Sequence, residues 1–182
     1  MITFEIKPPK NLHEIAAKLS AIPGGMERAG RSAVNRTLKG GRQDASRKIG
    51  QRYTIPVALV MSTIKTRVAG MTGEMASSGA RLPSDKFLHR PTVRQNPGPP
   101  GGIFLNVVKG QGGNLRRAFI QRTGGIWERV GRSRFPIRRF YSPSAPGMLA
   151  VKPVSSYIVA KMEERLGINL AHEAAAVING FL

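Results

Sequence analysis

The residues best suited to chemistry in this chain are basic side chains that recur on one stretch at helical spacing. They are Arg28, Arg31, Lys39 and Arg42. At about 100° per residue they fall within roughly 80° of one another, so a helix would present them on one face. Such a face could hold phosphate, and each neutralised phosphate would add about −0.9 to the slope of log affinity against log salt. A DNA-facing surface, a solvated helix face and a contact with an acidic neighbouring subunit all fit this spacing.

A second basic cluster lies further along the chain and is interleaved with aromatic residues. Its arginines are Arg129, Arg132, Arg134, Arg138 and Arg139. The aromatic residues among them are Trp127, Phe135, Phe140 and Tyr141. This mixture is typical of nucleic-acid surfaces, where bases stack on rings and guanidinium groups pair with phosphate. Aromatic residues at alternating strand positions also fill cores. We prefer a third interpretation, in which this segment is a loop that contacts another subunit.

The sequence carries no motif of a catalytic or metal site. Its histidines are His13, His89 and His172. They are far apart in the chain, whereas a zinc site needs several converging ligands. The carboxylates that could gather in a nuclease-type site are Asp44, Glu74, Asp85 and Glu128. No paired acidic motif supports that site. We therefore predict a protein that is not an enzyme and uses neither a metal nor another cofactor.

The excess of positive charge limits the partners that the protein can have. Lysine and arginine number 29 against 10 acidic residues, which gives a net charge of +19 and a pI near 11.6. Self-repulsion of this size favours a partner that supplies negative charge, namely nucleic acid, an anionic membrane surface or an acidic neighbouring subunit. Arginine outnumbers lysine, and its planar fork suits bidentate contacts with phosphate and carboxylate.

Length and residue usage predict a single domain over residues 1–182. A chain of 182 residues fits one domain of ordinary size. Cysteine is absent, which excludes disulfides and thiolate metal sites. No run approaches the roughly 18 apolar residues of a membrane helix, and the first residues lack the layout of a secretion signal. We therefore expect a protein that is not exported and has no membrane partner.

The N-terminal part of the chain is predicted to be mainly helical after a short first strand. Residues 1–25 form an arm that contains a helix over residues 11–20. Residues 26–49 are amphipathic at helical spacing. Within them, Gly40-Gly41 indicates a kink, a close helix contact or a break, because each glycine costs about 1 kcal/mol relative to alanine. A short helix is expected over residues 57–63.

The middle of the chain is predicted to be a mainly antiparallel sheet of about four to six strands. The predicted strands cover residues 64–69, 74–78, 103–108, 115–122 and 126–130. Residues 79–102 are rich in glycine, proline and arginine, so we predict an extended loop with neither helix nor strand that becomes ordered on assembly. Residues 141–147 are also expected to be irregular.

A C-terminal helix is predicted over residues 154–179, which completes an α+β fold. Its apolar stripe is spaced by four residues throughout. The stripe consists of Ile158, Met162, Leu166, Leu170, Ala174 and Ile178. The glutamates Glu163, Glu164 and Glu173 are expected on the water-facing side of this helix.

Short motifs follow one another in a fixed order over most of residues 30–150. The first, Ala33-Val34-Asn35-Arg36-Thr37, lies in the basic amphipathic segment. The others occupy residues 52–56, 76–83, 118–120, 130–137 and 141–148. In order and spacing they resemble the minor tail protein Z family of phages and prophages. A terminal helix is also expected for that family, whereas the glycine- and proline-rich segment 91–102 is not part of its pattern.

The resemblance implies a structural part of a tailed-phage particle rather than a catalyst. Proteins of this family are similar to tail-completion and neck proteins, which lie where the tail tube meets the head. The resemblance therefore implies a ring of copies, often six, next to tail-tube, terminator or other neck proteins. DNA would pass through the ring and be contacted without sequence reading. The protein would be found in the virion and, during assembly, in the host cytoplasm.

A stand-alone nucleic-acid-binding protein is the alternative that the charge supports. It would bind DNA tightly as a free monomer or dimer, with a steep dependence on salt. No recognition-helix or zinc-finger motif is present, so either function predicts contacts with phosphate rather than with bases.

Overall fold

The structure, a computed structural model, describes residues 1–6, 17, 19, 21–96 and 98–180. Its helices are α1 (Gly25–Arg52), α2 (Val57–Thr63), α3 (Ala145–Ala150) and α4 (Lys152–Ile178). The mixture of these helices with antiparallel sheets confirms the predicted α+β class. The helix predicted over residues 11–20 lies outside the described residues, except for Ala17 and Leu19.

The strands pair antiparallel throughout the part of the chain that the structure describes. They are β1 (Ile2–Ile6), β2 (Ile64–Ala69), β3 (Thr72–Ser77), β4 (Leu82–Pro83), β5 (Leu88–Arg90), β6 (Ile103–Val108), β7 (Gln111–Leu115), β8 (Ala118–Ile120), β9 (Ile126–Arg129), β10 (Ile137–Arg139) and β11 (Tyr141–Ser142). They form three-stranded sheets β1-β3-β2, β5-β6-β7 and β10-β9-β8, and a two-stranded sheet β11-β4. The predicted single sheet is thus divided into separate sheets, and Gly70 and Gly110, both at positive φ, form the hairpin turns β2–β3 and β6–β7 within two of them.

The packing of α1 against α4 is the most extensive contact of the fold. Helix α1 runs without a break for 28 residues, so Gly40-Gly41 marks a close helix contact and not a break. A Cβ atom at Gly41 would lie 2.9 Å from Met162 Cγ, and one at Gly40 would lie 3.1 Å from Arg165 Nη1. The absence of side chains at these two positions therefore lets α4 lie directly against α1.

A row of polar contacts borders the apolar seam between α1 and α4. Arg165 donates hydrogen bonds of 2.7 and 3.2 Å to the two carboxylate oxygens of Asp44. The hydrogen bond to Asp44 raises the pKa of Arg165 above its ordinary value. One helical turn further along α4, Asn169 donates to the hydroxyl of Thr37 at 2.9 Å. These contacts fix the register of the two helices.

Helix α4 differs from the sequence prediction near its C-terminal end. Glu173, predicted to face water, is only 8 % exposed, because it accepts a 2.7 Å hydrogen bond from Arg36 of α1. Ile178, predicted to belong to the buried stripe, is 46 % exposed, and Val177 takes its place. A spacing of four residues drifts by about 40° per step on a helix, so the stripe leaves the core by its last member.

The predicted loop over residues 79–102 is wrong in its first half. Strands β4 and β5 and a 3₁₀ turn (Ser84–Lys86) lie within it. Phe87 is buried in the main core, and the hydroxyl groups of Ser84 and Ser142 are 2.9 Å apart. One buried aromatic ring and a strand pair with β11 therefore anchor this half, whereas the described residues between β5 and β6 belong to neither helix nor strand.

The segment over residues 141–147, predicted to be irregular, contains β11 and the start of α3. The hydroxyl of Ser144 caps α3 by accepting a 3.2 Å hydrogen bond from the backbone N–H of Gly147. Met148 and Leu149 then lie fully buried in the main core. Pro143 and Pro146 make this segment look irregular in the sequence. Pro143 lies before the helix, and Pro146 lies in its first turn, where proline is tolerated.

Candidate nucleic-acid interface

The second basic cluster is organised by the sheet β10-β9-β8. Phe119 of β8 lies opposite Trp127 of β9, and Trp127 lies opposite Arg139 of β10. Alternate residues of a strand point to opposite faces, so Arg129 shares a face with Trp127. The other face carries Ala118 and Ile126, which pack on Ile103 in a small core of their own. One side of the sheet is thereby closed, and the other is left for arginines and aromatic rings.

Two adjoining hollows of about 270 and 520 Å³ lie along the sheet and the loops next to it. They share Arg94, Phe119 and Arg129 among the residues that line them. We call them together the arginine cleft, because exposed arginines form much of their lining. These arginines are Arg94, Arg116, Arg117, Arg122, Arg129, Arg132 and Arg134.

Three of the five arginines in the predicted second cluster belong to the arginine cleft, namely Arg129, Arg132 and Arg134. The other two, Arg138 and Arg139, do not line it. Arg138 forms an ion pair with Glu128, its cross-strand neighbour. Arg139 donates a 3.0 Å hydrogen bond to Asp85, and its guanidinium lies 6.0 Å from the Trp127 ring centroid. Both side chains are therefore already paired with an acid, although Arg138 remains largely exposed.

Four further arginines complete the cleft without belonging to either basic cluster of the sequence, namely Arg94, Arg116, Arg117 and Arg122. They lie outside the strands, in the segments that precede and follow β8 and in the segment before β6. The signal that could have found two of them is strand register. Because Ala118 pairs with Glu128, the residues just before β8 come next to those just after Glu128 in β9.

The aromatic rings of the cleft are arranged in two ways. The guanidinium of Arg129 lies 5.5 Å from the centroid of the Phe119 ring, which is half-buried. Phe135 is 64 % exposed, and the guanidinium of Arg134 lies 5.8 Å from its ring centroid. At these distances both pairs are cation–π contacts, which hold the guanidinium groups near the rings at the cleft wall.

The loop that carries Phe135 is tethered to its surroundings at two points. The backbone N–H of Val130 donates to the carbonyl of Pro136 at 3.0 Å and closes the loop between β9 and β10. A side-chain nitrogen of Arg117 donates to the carbonyl of Gly131 at 2.7 Å. The loop and the turn before β8 are therefore joined into one wall of the cleft.

The electrostatics of the cleft follow from where the carboxylates are. None of the described residues that line the two hollows is acidic. Several carboxylates are instead paired with basic side chains elsewhere in the fold. They are Asp44, Asp85, Glu128, Glu164 and Glu173. The arginines of the cleft thus face solvent as a concentration of positive charge, and an anion is the ligand that suits them.

The first basic cluster, on α1, does not form a comparable site. Arg42, predicted to face DNA, donates two hydrogen bonds, of 3.1 and 2.8 Å, to the carbonyl of Met61 near the end of α2, so its guanidinium is already engaged within the fold. Arg28, Arg31 and Lys39 are exposed along α1. Lys39 borders a hollow of about 270 Å³ that is also lined by the ion pair of Arg36 and Glu173, so only one unpaired positive charge is gathered in its described lining.

The two described histidines are hydrogen-bonded within the fold. His89 donates from Nδ1 to the carbonyl of Phe87 at 2.8 Å, and His172 accepts from Arg36 at 3.1 Å. Among the residues with described positions, no three His, Asp or Glu side chains are placed to hold a metal ion. In the same residues, no helix has both the length and the hydropathy that are needed to cross a bilayer.

Comparisons with protein-family models, with curated proteins and with solved structures found no match to this chain.

Proposed function

We propose that this protein is a structural component of a tailed-phage particle that contacts DNA through the arginine cleft at the head–tail junction. The cleft is the observation that carries the DNA contact. It gathers exposed arginines and no acidic side chain in its described lining, and two aromatic rings lie among them. The proposed role is one of geometry and charge, without catalysis.

Arginine supports a contact with phosphate more specifically than positive charge alone would. Its planar fork donates two parallel hydrogen bonds to phosphate oxygens. Phosphate is the same at every nucleotide, so a surface of this kind holds the backbone and does not read sequence. The net charge of +19 adds long-range attraction that brings a polyanion to the protein.

The location in a phage particle is supported by the ordered motifs over residues 30–150, which in order and spacing resemble the minor tail protein Z family. On this proposal the protein is assembled in the host cytoplasm and remains in the virion next to tail-tube, terminator or neck proteins. The ring would have the symmetry of the tube, for which six copies is the number that the resemblance implies.

Sheet edges supply a means of ring formation. Strands β1 and β2 flank β3 and lie at the two edges of their sheet within the described residues. An exposed strand edge presents backbone N–H and C=O groups that can pair with a strand of a neighbouring copy. Lys65 and Arg67 are exposed on β2, so a neighbour with acidic groups would fit that edge best.

The experiment that tests the location is cryo-electron microscopy of the particle that carries this gene. We expect density for the chain as a ring between the head and the tail tube, with the arginine cleft facing the DNA path. Its absence from the whole particle would overturn the structural role. A stand-alone DNA-binding function would then be favoured, since the same cleft supports it.

The experiment that tests the DNA contact is a salt titration of binding to a random-sequence duplex. The variant Arg129→Ala/Arg132→Ala/Arg134→Ala should bind more weakly. The slope of log affinity against log salt should become less negative by about 0.9 for each phosphate that the variant no longer neutralises. The control removes an equal number of exposed arginines outside both the cleft and the basic face of α1, in Arg47→Ala/Arg81→Ala/Arg90→Ala. Equal weakening in the two variants would mean that net charge, and not the cleft, binds DNA.

A further inference from the structure

Phe135 is the feature of the arginine cleft that phosphate binding does not explain. A phenylalanine that is 64 % exposed gains little from its position in the fold, and phosphate has no apolar surface to place against it. The ring lines the same hollow as Arg122, Arg129 and Arg134. A ligand that carries both phosphate and a flat apolar face would use all of these groups together.

We propose that the arginine cleft binds a single-stranded stretch of DNA, with an unpaired base stacked on the ring of Phe135. This inference rests on the DNA contact proposed above and specifies the form of DNA that the cleft takes. Base–aromatic stacking together with backbone contacts to basic side chains is the usual way in which proteins hold single strands.

Arg134 places a positive charge beside the ring of Phe135. The guanidinium of Arg134 lies 5.8 Å from the ring centroid, which is a cation–π distance. The high exposure of the ring means that much of its surface remains accessible to a base. The hydrogen bond from Arg117 to the carbonyl of Gly131 joins the loop that carries Phe135 to the turn before β8.

Duplex DNA would use the cleft less completely. Its bases are stacked on one another and offer only their edges in the grooves, so no base face is available to an aromatic ring. Its phosphates can still contact the arginines. The cleft should therefore bind both forms through phosphate, and only the single strand should gain from Phe135.

The experiment compares a labelled oligothymidylate with a duplex of equal length by fluorescence anisotropy, using the full-length chain. Phe135→Ala should weaken single-strand binding by about fivefold to one-hundredfold and leave duplex affinity within about twofold. Phe135→Trp should keep single-strand affinity, and the fluorescence of the new indole should be quenched on binding. Trp127, the only tryptophan of the unaltered chain, lies on the cleft side of the sheet, so the unaltered chain is titrated in parallel and its signal is subtracted.

Val130→Ala is the matched control, because Val130 is also an exposed apolar residue of the same loop but does not line the cleft. It should leave both affinities unchanged. If Phe135→Ala leaves single-strand binding unchanged, or lowers single-strand and duplex binding equally, the stacking role is wrong while the phosphate contact stands. If Phe135→Ala abolishes only the association between copies and leaves DNA binding unchanged, Phe135 is an interface residue and the inference is overturned. If neither DNA binds, or if Arg129→Ala/Arg132→Ala/Arg134→Ala leaves both affinities unchanged, the proposed DNA contact itself fails.

Discussion

The α1–α4 helix pair and the arginine cleft use the same kind of charge in opposite ways. Along the helix pair, Arg165 and Arg36 are each bonded to a carboxylate of the partner helix, Asp44 and Glu173 respectively. In the cleft, arginines lie side by side with no acidic residue in the described lining. The first region uses charge to fix its own geometry, and the second leaves charge available for a ligand. The position of the few carboxylates thus separates a stabilising region from the region that we propose binds DNA.

The same comparison explains why arginine content alone does not locate the site. Arg138 and Arg139 lie in the sheet that supports the cleft, yet each is paired with an acid. Arg42 is bonded to a backbone carbonyl. A basic cluster read from the sequence therefore has to be divided into residues that are satisfied within the fold and residues that are not.

The largest effect on stability should come from the apolar seam of the helix pair. Leu38 is fully buried, so Leu38→Ala should lower the free energy of unfolding by about 2–5 kcal/mol. The matched test in the other region is Arg132→Ala, which should change it by no more than about 0.5 kcal/mol because the side chain is exposed. Chemical denaturation of the two variants measures both values. A comparable decrease in the cleft variant would contradict the division into two regions.

A smaller effect is expected from the polar border of the seam. Asp44→Ala should lower the free energy of unfolding by about 1–2 kcal/mol, since Arg165 loses both hydrogen bonds but is partly exposed and regains water. Glu163→Ala, at an exposed position of α4, is the control and should be neutral within about 0.5 kcal/mol in the same denaturation measurement. Equal decreases from the two substitutions would mean that the ion pair does not fix the helices.

The last prediction involves no change in the free energy of unfolding. It concerns how accessible the segment between β5 and β6 is to a protease. Trypsin should cleave after Arg94 before it cleaves within α1 or α4, because Arg94 is exposed and its segment has neither helix nor strand. Bound oligonucleotide should slow this cleavage, since Arg94 lines the cleft. Mass spectrometry of the first fragments distinguishes the sites. Cleavage within the helices before Arg94 in the free protein would contradict this order.

Long periodic elements of this fold can be predicted from the sequence, and the cleft can be predicted only in part. Helices α1 and α4 can be predicted because each is long and its buried residues recur at helical spacing where it packs against the other. Strands β4 and β5 cannot be predicted from periodicity, because they have only two and three residues and a single buried aromatic ring, that of Phe87, anchors the segment. The burial of Glu173 cannot be predicted from the pattern of α4 either, because its partner Arg36 lies on another helix.

The cleft illustrates a second limit. Arg129, Arg132 and Arg134 are near one another in sequence and can be recognised as a cluster. Arg94 and Arg116 join them only through strand pairing and loop placement, and nothing in the local pattern around either residue indicates that neighbourhood. A surface assembled from separate segments therefore needs the register of the sheet before its residues can be identified.

The pairing of carboxylates inside the fold has a consequence for the order of assembly. Asp44, Asp85, Glu128 and Glu173 are already bonded to arginines of the same chain, and the protein carries a net charge of +19. Two free copies therefore repel each other and have few acids left with which to join. A ring of such copies would close only around or against something anionic. On this proposal, repulsion would keep the copies apart until the DNA or an acidic neighbour is in place, so the ring would form last.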